Sequence, residues 1–72
     1  MAYHINRLTR GGGFSPRQIV ERIGSETRKD AARRAARVAA VEHPGDWIQV
    51  SMGNSGAILV TYQSRGARAV KV

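Results

Sequence analysis

The stretch from Thr27 to His43 constrains the fold more than any other part of the sequence. It reads TRKDAARRAARVAAVEH and has the pattern of a single amphipathic helix. With about 100° between successive residues, small apolar side chains fall on one side of this helix and basic side chains on the other. The apolar side contains Ala31, Ala32, Ala35, Val38 and Ala39, and the basic side contains Lys29, Arg33 and Arg37. A helix face of small apolar side chains must be buried against another element, so we expect this helix to pack on a β-sheet.

The length of the chain limits the fold to one small domain over residues 1–72. A domain this short buries only about 60% of the surface of its unfolded chain, so a thin core and help from a partner chain or ligand are expected. The sequence has no cysteine, so neither disulfide bonds nor a zinc ribbon can supply this additional stability. No apolar run approaches the roughly 20 residues of a membrane span, and the N-terminus lacks the apolar core of a signal peptide. We therefore expect a soluble, cytoplasmic protein.

The first part of the chain gives weaker signals. Residues 2–9 contain β-forming side chains that share one face of an extended chain, and they are expected to form an edge strand. Residues 10–14, Arg-Gly-Gly-Gly-Phe, are interpreted as a flexible linker or hinge, since three glycines without side chains cannot be held by packing. The alternative is an anion cradle formed by the amides of Gly11–Gly13, but the Gly-Lys-Ser/Thr ending of a P-loop is missing.

A short helix is predicted to follow the linker. Ser15 is placed to cap it, Pro16 suits the first helical position, and Gln18 can close a capping box. We expect Gly24 to end this helix, and Ser25 or Thr27 to cap the long one. A helix, a glycine turn, a longer helix and a hairpin also describe a winged helix-turn-helix. That alternative fits poorly, because it needs an apolar residue near position 30, where the chain has Asp30.

The end of the long helix contains one unusual residue. The helix cannot continue through Pro44, but Glu42 just before it lies on the predicted apolar face and at the negative end of the helix dipole. The expected explanation is a salt bridge to an arginine of the sheet or of the first segment; the alternative is a catalytic carboxylate.

After Asp46 the periodicity changes to that of strands, and two loops are predicted, Asn54-Ser55-Gly56 and Ser64-Arg65-Gly66. A three-residue hairpin loop commonly has a left-handed glycine at its last position. This register predicts one apolar face of Ile48, Val50, Met52, Ile58, Val60, Tyr62, Val70 and Val72. It predicts a polar face of Gln49, Ser51, Thr61, Gln63 and Lys71.

Together these signals predict an α+β fold, with one dominant amphipathic helix packed on a three-stranded antiparallel β-meander, a short preceding helix and an N-terminal edge strand. Trp47 and Leu59 are left on the outer face of the sheet, as an anchor for a protein partner; alternatively, Trp47 folds back over Pro44. The open sheet edge at 67–72 and these two side chains also motivate a homodimer.

The sequence gives little support for catalysis or cofactors. His4 and His43 are far apart, and no Cys, no Ser-His-Asp set and no paired inward carboxylates accompany them. A metal site would require His43, Glu42 and Asp46 to converge across the Pro44–Gly45 turn, which we do not expect. The sequence therefore predicts a protein that is not an enzyme and has no cofactor or metal.

Basic charge supplies the best functional prediction. The net charge is +7 with a pI near 11.4, which favours polyanions or an acidic protein as partner. Lys29, Arg33 and Arg37 recur every four residues, and their side chains project in a row that suits contacts with nucleic-acid phosphates. Arg28 and Arg34 flank this row. Two alternatives remain open: a solvated face on which Asp30 pairs with Arg33 or Arg34, and docking to an acidic host or virion protein, since arginine also binds carboxylates.

The chain also resembles a group of proteins in its arginine and alanine richness and in the layout of the helix, which runs through His43-Pro-Gly-Asp-Trp47 into a hairpin. Over about residues 25–63 it is similar to small orphan accessory proteins of phages that infect actinobacteria. The resemblance implies a virus-encoded protein in the cytoplasm of the host cell, which binds nucleic acid or binds and redirects a host protein. It assigns no role to any residue.

Overall fold

One helix covers one face of a five-stranded antiparallel sheet in the computed structural model, which describes residues 2–9 and 19–72. The elements are β1 (Tyr3–Leu8), β2 (Ile19–Glu26), α1 (Lys29–Glu42), β3 (Trp47–Met52), β4 (Ile58–Arg65) and β5 (Arg68–Lys71). The strands lie in the order β2-β1-β3-β4-β5, so α1 connects two strands that flank β1. The α+β class is confirmed, but the predicted three-stranded meander is only one part of a larger sheet.

The apolar face of α1 is rotated relative to the prediction. Ala32, Ala36 and Ala40 are fully buried against the sheet, in the cluster formed by Ile5, Ile48, Val50, Val60 and Tyr62. Ala35 and Ala39 are partly buried beside this cluster. Val38, which was placed on the core side, is 55% exposed. An alanine row four residues apart brings the helix axis close to the sheet, while larger strand side chains fill the interior.

The N-terminal end of α1 differs from the prediction, whereas the C-terminal end agrees with it. The N-cap is Arg28, with extended backbone and no side-chain hydrogen bond to the helix, so neither Ser25 nor Thr27 caps it. Ser25 instead belongs to β2. At the other end the amide of His43 donates to the carbonyl of Ala39 at 3.0 Å, after which Gly45 takes a φ of 89°. The predicted termination before Pro44 is confirmed.

The predicted short helix is wrong in the part that the structure describes, because residues 19–26 form β2 and pair with β1. Gly24 lies opposite Ile5, and a Cβ at position 24 would come 3.4 Å from Cδ1 of Ile5. The glycine therefore belongs to a strand and does not end a helix. The winged helix-turn-helix alternative fails for the same reason. Two further predictions lie outside the described residues. They are the linker at 10–14, with its alternative as an anion site, and the helix cap at Ser15–Gln18.

The first segment is a strand, but it is central and not at the edge. β1 pairs with β2 on one side and with β3 on the other. Because it has two partners, its backbone groups hydrogen-bond on both sides, and Ile5 is only 3% exposed. The edge strands are β2 and β5.

The first hairpin of the meander has the predicted register only away from its turn. A bulge between Val50 and Ser51 pairs Ile58 with Ser51, so Ile58, predicted on the apolar face, is 60% exposed. Ile48 pairs with Tyr62 and Val50 with Val60, so these four side chains share the face under the helix. Gly56 has a φ of 73°, as expected for the last residue of the loop. The amide of Gly56 donates to the carbonyl of Met52 at 2.8 Å and closes the turn.

The second hairpin has a different register, which reverses the faces of β5. Arg65 pairs with Arg68, leaving a two-residue turn of Gly66 and Ala67. Gly66 has a φ of 66° at the first position of this turn, as in a type II′ hairpin. Since a shift of one residue exchanges the two faces of a strand, Val70 pairs with Gln63 and lies on the outer face, whereas the prediction placed it on the helix side. Val72, also predicted on the apolar face, is 57% exposed.

Polar side chains are buried on the outer face at the centre of the sheet. Asn6, Gln49 and Ser51 are each less than a tenth exposed. Nδ2 of Asn6 donates to Oγ of Ser51 at 3.0 Å and to Oε1 of Gln49 at 3.4 Å. These contacts connect β1 to β3 and partly compensate the loss of water around the three groups.

Candidate nucleic-acid interface

Helix α1 presents Lys29, Arg33 and Arg37 one turn apart, and we call this set the cationic row. Residues four apart on a helix are neighbours on one face. Lys29 and Arg37 are exposed, whereas Arg33 is half-buried and its Nε is buried without a hydrogen-bond partner in the described part of the chain. The row lies beside the buried alanine row, so the helix carries it along one flank, next to the sheet.

An aromatic ring supports one end of the cationic row. The guanidinium carbon of Arg37 lies 5.9 Å from the centre of the Tyr62 ring, and Tyr62 is only 3% exposed. This separation falls within the range of cation–π attraction. The contact favours a position of the Arg37 side chain over this ring.

The sheet extends the cationic row toward the β5 edge. Lys71 pairs with Tyr62 across β4 and β5, and Arg68 lines a groove with Arg37. Arg68 and Lys71 are both exposed. The sequence alone does not indicate either residue, because only the strand order shows that β5 lies next to this flank of the helix.

The two predicted flanking residues are placed differently from each other. Arg28 is the N-cap residue, next to the start of the row. Arg34 lies on another side of the helix, where it lines a groove together with Glu26 and Glu42. The structure therefore separates Arg34 from the row.

Acidic side chains do not neutralise the cationic row within residues 2–9 and 19–72. The salt bridges found there both belong to Arg7, which pairs with Glu21 and Asp46. Asp30 makes no salt bridge with Arg33 or Arg34 among these residues, so the pairing expected for a solvated face is not observed. Glu42 is exposed, and in the same part of the chain it has no salt bridge to an arginine; it does not lie on the buried face of α1.

Trp47 and Leu59, proposed as an anchor for a protein partner on the outer face, are only partly exposed. Trp47 is half-buried, and its Nε1 donates to Oε1 of Gln63 at 3.3 Å. Leu59 is partly buried and packs against the core cluster. Both side chains therefore already contribute to the stability of the sheet.

A second recess of about 390 Å³ lies on the outer face, around the buried polar groups of β1 and β3. His4 and Arg22 contribute to its walls, and Nδ1 of His4 is buried without a hydrogen-bond partner among the described residues. No three His, Asp or Glu side chains come together as a metal site in the residues that the structure describes.

The fold and the exposed basic flank define a class of protein, a small basic α+β domain with a cationic helix. Comparison with protein-family models, with curated proteins and with solved structures found no match. None of the helices described is both long enough and apolar enough to cross a bilayer.

Proposed function

We propose that this protein is a non-enzymatic module that binds the nucleic-acid backbone through the cationic row, as a phage-type accessory protein would. The observation that carries the proposal is the absence of salt bridges from Lys29, Arg33 and Arg37 to acidic side chains of the described chain. Basic groups that form no salt bridge within a protein of net charge +7 attract polyanions.

The spacing of the row suits consecutive phosphates. Residues four apart rise by about 6 Å along a helix axis, so the row extends over about 12 Å. One strand of duplex DNA places a phosphate about every 3.4 Å along its axis. Several phosphates therefore lie within reach of the row, and Arg68 and Lys71 widen the contact surface across the β5 edge.

Binding of this kind has little sequence preference. Contacts to phosphate oxygens position a protein on the duplex but do not distinguish bases. Each contact releases counterions, so affinity should decrease steeply with salt.

The proposal is tested by fluorescence anisotropy with labelled DNA and RNA over a series of salt concentrations. The double variant Arg33→Gln/Arg37→Gln should weaken binding to all duplexes to a similar extent and flatten the slope of log K against log salt by about two units. The matched control, Arg22→Gln/Arg65→Gln, removes the same charge from exposed positions elsewhere and should retain most of the slope. A wild-type protein that binds no DNA or RNA at low salt would contradict the proposal, and so would equal effects of the two double variants.

The rival is docking to an acidic host or virion protein through the same arginines, with Trp47 as an anchor. Affinity capture from host lysate, with and without nuclease, separates the two functions. Capture that disappears with nuclease supports backbone binding. Capture of one defined acidic protein that survives nuclease and is lost in Trp47→Ala supports the rival.

A further inference from the structure

The outer side of α1, away from the sheet, carries exposed apolar residues. Val38 is 55% exposed and Val41 is 38% exposed, within a helix whose opposite side is fully buried. Exposed apolar side chains that are adjacent on one regular element differ from the scattered ones of an ordinary surface.

Two grooves lie on either side of these valines. The first has a volume of about 510 Å³ and is lined by Arg37, Val38, Val41, Glu42, Arg68 and Ala69. The second has a volume of about 410 Å³ and includes the small residues Ala31, Ala35 and Ala39. Val38 and Glu42 line both grooves and therefore form the ridge between them. A ridge between grooves is the surface that a second helix packs against.

The charges on this side identify the occupant. Arg34 lies four residues before Val38 and Glu42 lies four residues after it. The two side chains are about 12 Å apart along the helix axis, too far to pair with each other within one chain. Neither makes a salt bridge with another residue in the described ranges.

We propose that a second copy of this chain docks here, helix to helix and antiparallel, about a two-fold axis at Val38. This arrangement places Arg34 of each copy opposite Glu42 of the other, so both ion pairs form at once. A parallel arrangement would instead place like charges together. An isologous contact of this kind is the usual form of a homodimer interface.

The apolar residues of this surface are also compatible with a two-fold axis at Val38. Ala35 and Val41 lie three residues before and after Val38, so Val41 of one copy faces the alanine-lined groove of the other. Small residues at this contact allow the two helix axes to approach closely. The arrangement also explains Glu42, because an arginine from the second copy offsets its unfavourable position at the negative end of α1.

This interface borders one end of the cationic row and strand β5, because Arg37, Arg68 and Ala69 line one of its two grooves. Lys29 and Arg33, the other two residues of the row, line neither groove. The dimer goes beyond the proposed nucleic-acid function without depending on it. Its test therefore uses nuclease-treated protein in the absence of nucleic acid.

The experiment is sedimentation equilibrium at about 10 to 500 µM on wild type, Arg34→Glu, Glu42→Arg and the double variant. Two exposed pairs that turn from attractive to repulsive should raise the dimer dissociation constant about tenfold in each single variant. The double variant restores both pairs in reversed polarity and should recover dimerisation. A mixture of the two single variants should form a heterodimer, because each pair then joins opposite charges.

The control is Arg65→Glu, which makes the same charge change at the exposed last residue of β4 and should leave the dissociation constant unchanged. Circular dichroism and thermal midpoints of dilute samples should agree among all variants, which shows that each one folds. A 7.8 kDa species alone at every concentration would overturn the proposal. A dimer insensitive to both charge reversals would also overturn it.

Discussion

Arg7 and Asp46 join the first strand to the loop that follows the helix. Nη1 of Arg7 lies 2.8 Å from Oδ2 of Asp46, and Nε of the same guanidinium lies 2.9 Å from Oε1 of Glu21 on β2. The hydrogen bond to Asp46 first, and then that to Glu21, hold the pKa of Arg7 above its ordinary value. One side chain thus connects β1, β2 and the entry to β3.

The two carboxylates should contribute unequally to stability. The Asp46 side chain is 21% exposed and that of Glu21 is 49% exposed, so the pair with Asp46 is less screened by water. We expect Asp46→Asn to lower the free energy of unfolding more than Glu21→Gln. Urea denaturation of both variants, alone and combined with Arg7→Gln, measures this in a double-mutant cycle. Equal coupling energies would contradict the expected order.

The raised pKa of Arg7 also predicts how this contribution depends on pH. A group whose folded pKa lies above its unfolded value stabilises the fold below the unfolded pKa, and the contribution is lost only as pH rises through the folded pKa. For an arginine whose pKa is raised above its already high ordinary value, that loss occurs only in strong alkali. The Arg7–Asp46 coupling energy should therefore be the same at pH 7 and pH 10.

The rotation of α1 is tested by two neighbouring alanines. Ala36 is fully buried and Ala35 is partly exposed, so Ala36→Leu should be the more costly substitution, by about 1 to 3 kcal/mol from overpacking. Ala35→Leu is the matched control, with the same added atoms on the same helix. Thermal unfolding of the two variants is the measurement. A larger loss at Ala35 would indicate the helix orientation that the sequence predicted.

Two glycines with ordinary backbone angles should respond differently to an added methyl group. A Cβ at Gly53 would lie 2.9 Å from the carbonyl oxygen of Ala2 and 3.0 Å from Nε2 of His4. The amide of Gly53 also donates to that carbonyl at 2.8 Å. Gly53→Ala should therefore destabilise the protein by displacing the start of β1.

Gly24→Ala is the control, since its nearest neighbour is a side-chain carbon of Ile5 at an ordinary contact distance. It should be close to neutral, because alanine also restricts the unfolded chain. Denaturation midpoints of the two variants test the contrast, which would fail if Gly24→Ala were the more damaging change.

Periodicity in the sequence determined the elements whose signals are local. The 3.6-residue pattern was sufficient to identify α1, and Pro44 marked its end. The alternation after Asp46 and the glycine at position 56 were sufficient to place Ile48, Val50, Val60 and Tyr62 on one face, because a hairpin register depends on its own turn. The spacing of the cationic row was likewise predictable, since it depends only on helical geometry. The sequence placed the row opposite the core, however, whereas the structure places it beside the buried alanines, with Arg33 half-buried.

Tertiary structure decided the features for which the sequence allows two answers. Alanines occur in adjacent pairs at 31–32, 35–36 and 39–40, so the helix pattern fits two faces, and packing against the sheet selects one. Ile19 and Ile23 suit a helix edge or a strand, and pairing with β1 selects the strand. Gly66 fits the end of a three-residue loop or the start of a two-residue turn, and this choice determines the faces of β5. The positions of Arg68 and Lys71 beside α1 likewise follow from the strand order, because long-range pairing is not encoded in local periodicity.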